Sequence, residues 1–157
     1  MIEYGVTDWG KDLCIEWVIK EVFMAIPDKK TVLLVDDDPD IAALVVKVIQ
    51  SIGYNVVQSD SGEKAVKIAL ENEAINLILM DIELGPGISG IEAAFRIHRK
   101  RKIPIIFHSA HSEKQYADQV KVLTNCDYVI KNSAPYVLQS SFAKALEIYE
   151  AAAFKDS

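Results

Sequence analysis

The stretch TVLLVDDDPDIAALV, Thr31–Val45, joins an apolar run to three consecutive aspartates and then to a proline-led segment with helical spacing. The run TVLLV is rich in β-branched residues and reads as a strand. Asp38 is placed to cap the following helix, Pro39 to occupy its first turn, and Gly53 to stop it. Asp38 is therefore read as a helix cap rather than a ligand, which leaves Asp36 and Asp37 without a structural task. Neighbouring carboxylates repel one another, so their meaning depends on what else the chain brings to the same place.

Working outward, four more short apolar runs follow: YNVVQ, NLILM, IPIIF and DYVI. Between and after them lie PDIAALVVKVIQSIG, SGEKAVKIALENE, SGIEAAFRIHRKR, SEKQYADQVKVL and APYVLQSSFAKALEIYEAAA, all with helical spacing. Strands that alternate with helices imply an α/β fold, a doubly wound parallel sheet covered on both faces. The strands are apolar throughout, as expected when both faces are buried. In such sheets ligands collect beyond the carboxyl ends of the strands. The residues in that position are Asp36 and Asp37, then Asp81, Ser109 and Lys131.

Two unit charges about 4 Å apart interact by roughly 4 kcal/mol at a near-surface dielectric. Three carboxylates in one crevice therefore call for a hard cation, and oxygen ligands suit Mg²⁺, with Mn²⁺ as the alternative. A carboxylate can serve as the nucleophile of phosphoryl transfer. The ammonium of Lys131 and the hydroxyl of Ser109 would then neutralise and position the transferred group.

Four motifs, VLLVDDDPD, LILMDIELGPGISGIEAA, IPIIFHSAHS and DYVIKNSAP, stand in the order and spacing of one family. On them, the chain from about Thr31 to Ala152 resembles a two-component response-regulator receiver domain of the single-domain, chemotaxis-regulator type. The resemblance implies a flavodoxin-like five-stranded sheet of order 2-1-3-4-5 with five helices, beside which this chain has an extra N-terminal helix. It implies Asp81 as phosphoacceptor, and Asp36, Asp37, Asp81 and the backbone carbonyl of Glu83 as metal ligands. It implies Lys131 as partner of the phosphoryl oxygens, Ser109 as the switch hydroxyl and Tyr128 as the aromatic that follows it. Ala110 fits the small residue usual beside the switch position. Glu83 and His111 would flank the acyl phosphate and tune its exposure to water. The chain departs from the family at Asn132, where proline is usual, and in IELGPGIS, a loop about one residue longer than the common form. A non-proline cis bond costs about 2.5–4 kcal/mol, so the Lys131–Asn132 bond is expected to be trans.

Composition narrows the alternatives. The 157 residues are 50% hydrophobic and 25% charged with a net charge of −6, a profile that disfavours nucleic-acid binding. Cys14 and Cys126 have no metal or redox spacing and read as packed thiols of a cytoplasmic protein. The first residues show no signal peptide, and charges interrupt the apolar stretch Trp9–Ile26, so membrane insertion is not expected. Residues 1–30 read as an extension built mainly of one amphipathic helix, 31–152 as the receiver, and 153–157 as a tail. Asp8, Asp12, Glu16 and Lys20 form one stripe of that helix, and apolar residues crowd the rest. It is expected to dock on its own receiver, to swap into a second copy, or to be an upstream remnant with no role.

Only FKDS follows the last helix, so output is expected through protein contacts, on the face built from the receiver's fourth helix, fifth strand and fifth helix. That face is also a candidate dimer surface. The implied partners are a sensor histidine kinase or phosphotransfer protein and an unknown downstream protein. A haloacid-dehalogenase-like phosphatase would place its nucleophile at Asp36 in an Asp-x-Asp motif. Asp40 stands where that family has Thr or Val, and little chain remains for a cap. A receiver-like module that binds without phosphorylation is the other alternative. The flanking His108 and His111 invite a phosphohistidine reading, which lacks any surrounding phosphotransfer helix. The expected activity is that of a switch rather than an enzyme.

Overall fold

The computed structural model describes residues 15–22, 28–111, 113–123 and 126–156. Five strands, β1 (Thr31–Val35), β2 (Asn55–Ser59), β3 (Ile75–Asp81), β4 (Ile105–Ser109) and β5 (Cys126–Ile130), form one sheet of order β2-β1-β3-β4-β5. Every pairing is parallel, so the expected doubly wound topology is the one observed. The helices are α1 (residues 15–22), α2 (Pro39–Ser51), α3 (Gly62–Glu71), α4 (Gly90–His98), α5 (Ala117–Val120) and α6 (Pro135–Lys155).

Alternate residues of each strand face opposite layers. Leu33, Val35, Ile78, Met80 and Phe107 pack with Ala65 and Ala69 of α3 and with Ala94 and Ile97 of α4. Val32, Leu34, Leu77, Leu79 and Ile106 pack with Val45 and Ile49 of α2 and with Leu138 and Phe142 of α6. The two layers explain why β1, β3 and β4 are apolar at nearly every position. The edge strands are only partly covered: Asn55 and Gln58 of β2 and Ile130 of β5 are exposed.

The start of α2 matches its expectation. Asp38 accepts from the backbone of Asp40 and Ile41 at 2.9 and 3.2 Å, Pro39 follows, and Gly53 takes a φ of 99° just past the end. SEKQYADQVKVL does not form the single helix its spacing suggests. A 3₁₀ turn, Glu113–Gln115, precedes the four-residue α5. Among the described residues of this stretch only Leu123 is fully buried, which leaves little burial to hold a longer helix.

All eight residues of α1 are exposed, and Ile15, Trp17, Val18, Ile19 and Val22 are 51–64% accessible. The rest of the helix expected over Trp9–Ile26 lies outside the described residues. No helix among the described residues is long and apolar enough to cross a membrane.

The basic run after α4 serves the neighbouring helix. The Arg101 guanidinium donates to the carbonyls of Ala69 (2.7 Å), Asn72 (2.8 Å), Glu73 (3.1 Å) and Ile75 (2.6 Å). A fixed fork of donors thus meets the carbonyl end of α3, where positive charge is favourable. Arg101→Ala is expected to lower unfolding stability by about 2–3 kcal/mol in urea titrations, and Arg101→Lys by less. A loss below about 0.5 kcal/mol would contradict this role.

Candidate functional site

Asp36 follows β1 directly, and its backbone N–H donates to the Ser59 carbonyl at the end of β2 (3.1 Å). Its Oδ1 accepts from the Asp38 backbone N–H at 3.0 Å, which turns the chain into α2. Asp37 is exposed and faces the loop after β3, where a side chain on Gly85 would begin 3.0 Å from Asp37 Oδ2. Asp81 ends β3 in register with His108 of β4. Carboxylate oxygens of Asp36, Asp37 and Asp81 all lie within 4.8 Å of one another.

Two contacts shape the longer loop after Asp81. Gly90 abuts the end of β3 so closely that a Cβ there would lie 1.8 Å from the Asp81 carbonyl oxygen. Further along, Glu63 at the start of α3 accepts from the Ile88 backbone N–H at 2.8 Å. Gly87 holds a φ of 113° beside that carboxylate, and any side chain would strike it at 2.4 Å. The loop is therefore braced on α3.

Lys131 enters from the other side. Its backbone N–H donates to the Ser109 carbonyl at 2.8 Å, which fixes the end of β5 to the end of β4. Its Nζ lies 2.9 Å from Oδ2 of both Asp36 and Asp81, with the oriented hydrogen bond going to Asp81. The bond to Asn132 is trans as expected, and Asn132 adopts a φ of 65°. Proline cannot adopt that angle, whereas asparagine does so more readily than most residues.

The rim is a connected set. Ser109 is buried, and its Oγ accepts from the His111 backbone N–H at 3.3 Å. The Tyr128 hydroxyl donates to the His111 carbonyl. Glu83 gives its backbone N–H to Asp81 Oδ1 at 3.1 Å and turns its exposed carboxylate outward. There it accepts from the Tyr116 hydroxyl at 2.5 Å and lies 3.4 Å from His111 Nε2. Tyr116 and the Glu63 brace were not singled out from sequence. Their contacts span 33 and 25 residues, and no local pattern marks them.

Burial raises the Asp81 pKa, the hydrogen bond and charge of Lys131 oppose that rise, and the Asp36 carboxylate adds to it. Burial also works against the charge on Lys131, but its bonds to Asp81 and Asp36 win and hold its pKa above the ordinary value. His108 is pulled down to about 4, first by burial and then by the Lys131 ammonium, so it is neutral near pH 7. The hydrogen bond from Tyr116 lowers the Glu83 pKa, and the same bond raises that of Tyr116 to about 12. One lysine faces three carboxylates whose oxygens lie within 4.8 Å of one another, so the cluster suits a hard cation such as Mg²⁺.

A parallel α/β domain with three carboxylates and one lysine converging at the strand ends is the architecture of a receiver. The model of the response regulator receiver domain matches residues 32–143, and the chain belongs to that family of two-component systems. PhoB, the phosphate regulon transcriptional regulatory protein of Pseudomonas aeruginosa, is 32% identical over 109 residues, 68% of this chain and 47% of that protein. The N-terminal domain of a response regulator/sensory box/GGDEF three-domain protein from Carboxydothermus hydrogenoformans superposes with a TM-score of 0.73. It is 33% identical and covers 79% of this chain and 99% of that one. TrrA from Thermotoga maritima, solved in complex with Mg²⁺ and BeF, gives a TM-score of 0.67 at 33% identity, covering 74% of this chain and 99% of that one. The chain spans less than half the length of the curated relatives it matches. Receiver domains act as phosphoacceptor switches and interact with sensor histidine kinases or phosphotransfer proteins.

The raised pKa of Asp81 has a measurable sign. A carboxyl group whose folded pKa exceeds its unfolded value binds protons more readily when folded, so its ionised form destabilises the fold at neutral pH. Without divalent cation, Asp81→Asn is expected to unfold at a higher temperature than the native protein at pH 7. The gain should shrink as pH falls through the carboxylate range. A pH-independent difference would contradict that origin.

Proposed function

We propose that this chain accepts a phosphoryl group on Asp81 from a phosphohistidine of a sensor kinase or phosphotransfer protein and signals through its own surface. The observation that carries the reading is Lys131 Nζ at 2.9 Å from both Asp36 and Asp81, beside an oxygen cluster suited to a divalent cation. A carboxylate oxygen of Asp81 attacks phosphorus, and the P–N bond to the donor imidazole breaks. The bond's electron pair leaves with that nitrogen, and the phosphoryl group becomes a mixed anhydride. Mg²⁺ held by Asp36, Asp37, Asp81 and the Glu83 carbonyl would supply charge neutralisation to this transfer. Lys131 pairs with the phosphoryl oxygens, and Ser109 donates to one of them. A groove of about 500 Å³ opens beside Asp36 and Asp37, lined in part by Pro39, Ala42, Gln58 and Lys64.

The output follows from what the switch residues touch. Ser109 moving toward the phosphoryl group alters its contact with the His111 N–H, and Tyr128 holds the carbonyl of the same residue. Both therefore report on the segment that leads into α5. Val122, Ile130, Tyr136 and Ile148 are exposed apolar residues in or beside α5, β5 and α6, where a partner protein or second copy would find contacts. The apolar residues of α1 are a second such surface. Phosphorylation shifts either contact only by favouring one conformation of the domain over another.

Incubation with Mg²⁺ and a small phosphodonor is expected to add one phosphoryl group to the intact mass. The gain should vanish in Asp81→Asn and after chelation of the metal. No uptake by the native protein would favour the phosphorylation-independent module. Neutral substitution of both Glu83 and His111 is expected to change the rate of phosphoryl loss severalfold, and an unchanged rate would remove them from that role.

A further inference from the structure

Tyr116 ties the segment after β4 to the loop after β3 through a side-chain hydrogen bond. Its ring packs against the core cluster that contains Phe107 and Leu123. Its hydroxyl donates to Glu83 Oε1 at 2.5 Å, while His111 Nε2 faces the other oxygen of the same carboxylate at 3.4 Å. Glu83 and His111 stand two residues beyond Asp81 and Ser109, and both side chains are about half exposed, so this bridge lies at the solvent edge of the strand ends rather than among the buried carboxylates. The contact is not required for the cluster itself. Asp36 and Asp81 are held by Lys131, and the Asp81 Oδ1 bond uses the Glu83 backbone rather than its side chain.

We propose that Tyr116 is a positioning residue that holds the Glu83 carboxylate across the entrance to Asp81 and so limits how often small molecules reach it. The inference rests on Asp81 being the phosphoacceptor. With the bridge closed, the ring and the carboxylate together occupy the rim between β3 and β4. With it open, Glu83 swings on an exposed loop and only the longer 3.4 Å contact with His111 Nε2 still joins its carboxylate to the segment after β4 among the described residues. Both directions of traffic then become faster, because a small phosphodonor entering and a water molecule attacking the acyl phosphate use the same entrance. Since the ring stays packed when the hydroxyl is removed, Tyr116→Phe separates the gate from the fold.

The test compares the native protein, Tyr116→Phe, Glu83→Ala and the double variant. Uptake from acetyl phosphate and loss of the phosphoryl group are followed by intact mass, alongside amide hydrogen exchange over residues 113–120. Loss of one exposed charge-assisted hydrogen bond should speed both uptake and loss about fivefold in Tyr116→Phe. Glu83→Ala should already contain that acceleration, so the double variant should be no faster. A structural defect would instead lower the thermal midpoint and weaken Mg²⁺ binding, and both should stay at native values in Tyr116→Phe. Amide exchange needs no phosphorylation and should rise equally in all three variants. If the native protein takes up phosphate but Tyr116→Phe has native rates, the gate is overturned and the phosphoacceptor reading stands. If exchange is also native in Tyr116→Phe, the bridge itself is overturned. If the native protein takes up no phosphate, both the reading and the gate that rests on it fail.

Discussion

The structure depends on one ammonium shared by two buried carboxylates. Asp36 and Asp81 are 4% and 5% exposed, and two ionised groups so close and so dry repel strongly. Lys131, reaching across from β5 to both at 2.9 Å, makes the arrangement tolerable without neutralising it. Two acids with a third beside them against one base leave an excess of negative charge at the strand ends. On the proposed reading a divalent cation would answer that residual charge, leaving the lysine to pair with the phosphoryl oxygens.

The rest of the domain can be understood as support for that geometry. The parallel sheet brings β1, β3, β4 and β5 to a common edge, and its two apolar layers fix their heights. Backbone bonds from Asp36 to Ser59 and from Lys131 to Ser109 set the strand ends against each other. Gly90 lets α4 begin against the Asp81 carbonyl, and Glu63 braces the loop between them. Asn132, in a backbone conformation closed to proline, delivers Lys131 to both carboxylates through a trans bond. The family's usual proline is therefore not needed for the reach of this lysine.

Much of this was legible in the chain. The strands announced themselves as apolar β-branched runs, and the ligand rule for open parallel sheets pointed to Asp36, Asp37, Asp81, Ser109 and Lys131. The cap at Asp38 and the turn at Gly53 follow from local chemistry. What stayed hidden depends on contacts between distant segments. Nothing near Tyr116 says that its hydroxyl will meet a carboxylate 33 residues earlier, and nothing near Arg101 says that it will close the end of α3. α5 is shorter than its spacing predicts for a related reason. Its spacing is helical, but the sheet offers it only a narrow apolar strip, and burial rather than spacing decides how far a short helix extends.

The central claim is that Asp81, and not an aspartate of the Asp36–Asp38 run, carries the phosphoryl group. The most direct measurement is to phosphorylate the protein with Mg²⁺ and acetyl phosphate, reduce the acyl phosphate with borohydride, and map the product by peptide mass spectrometry. Residue 81 alone is expected to be converted to homoserine. Conversion at residue 36 would contradict it and point to phosphatase-type chemistry instead.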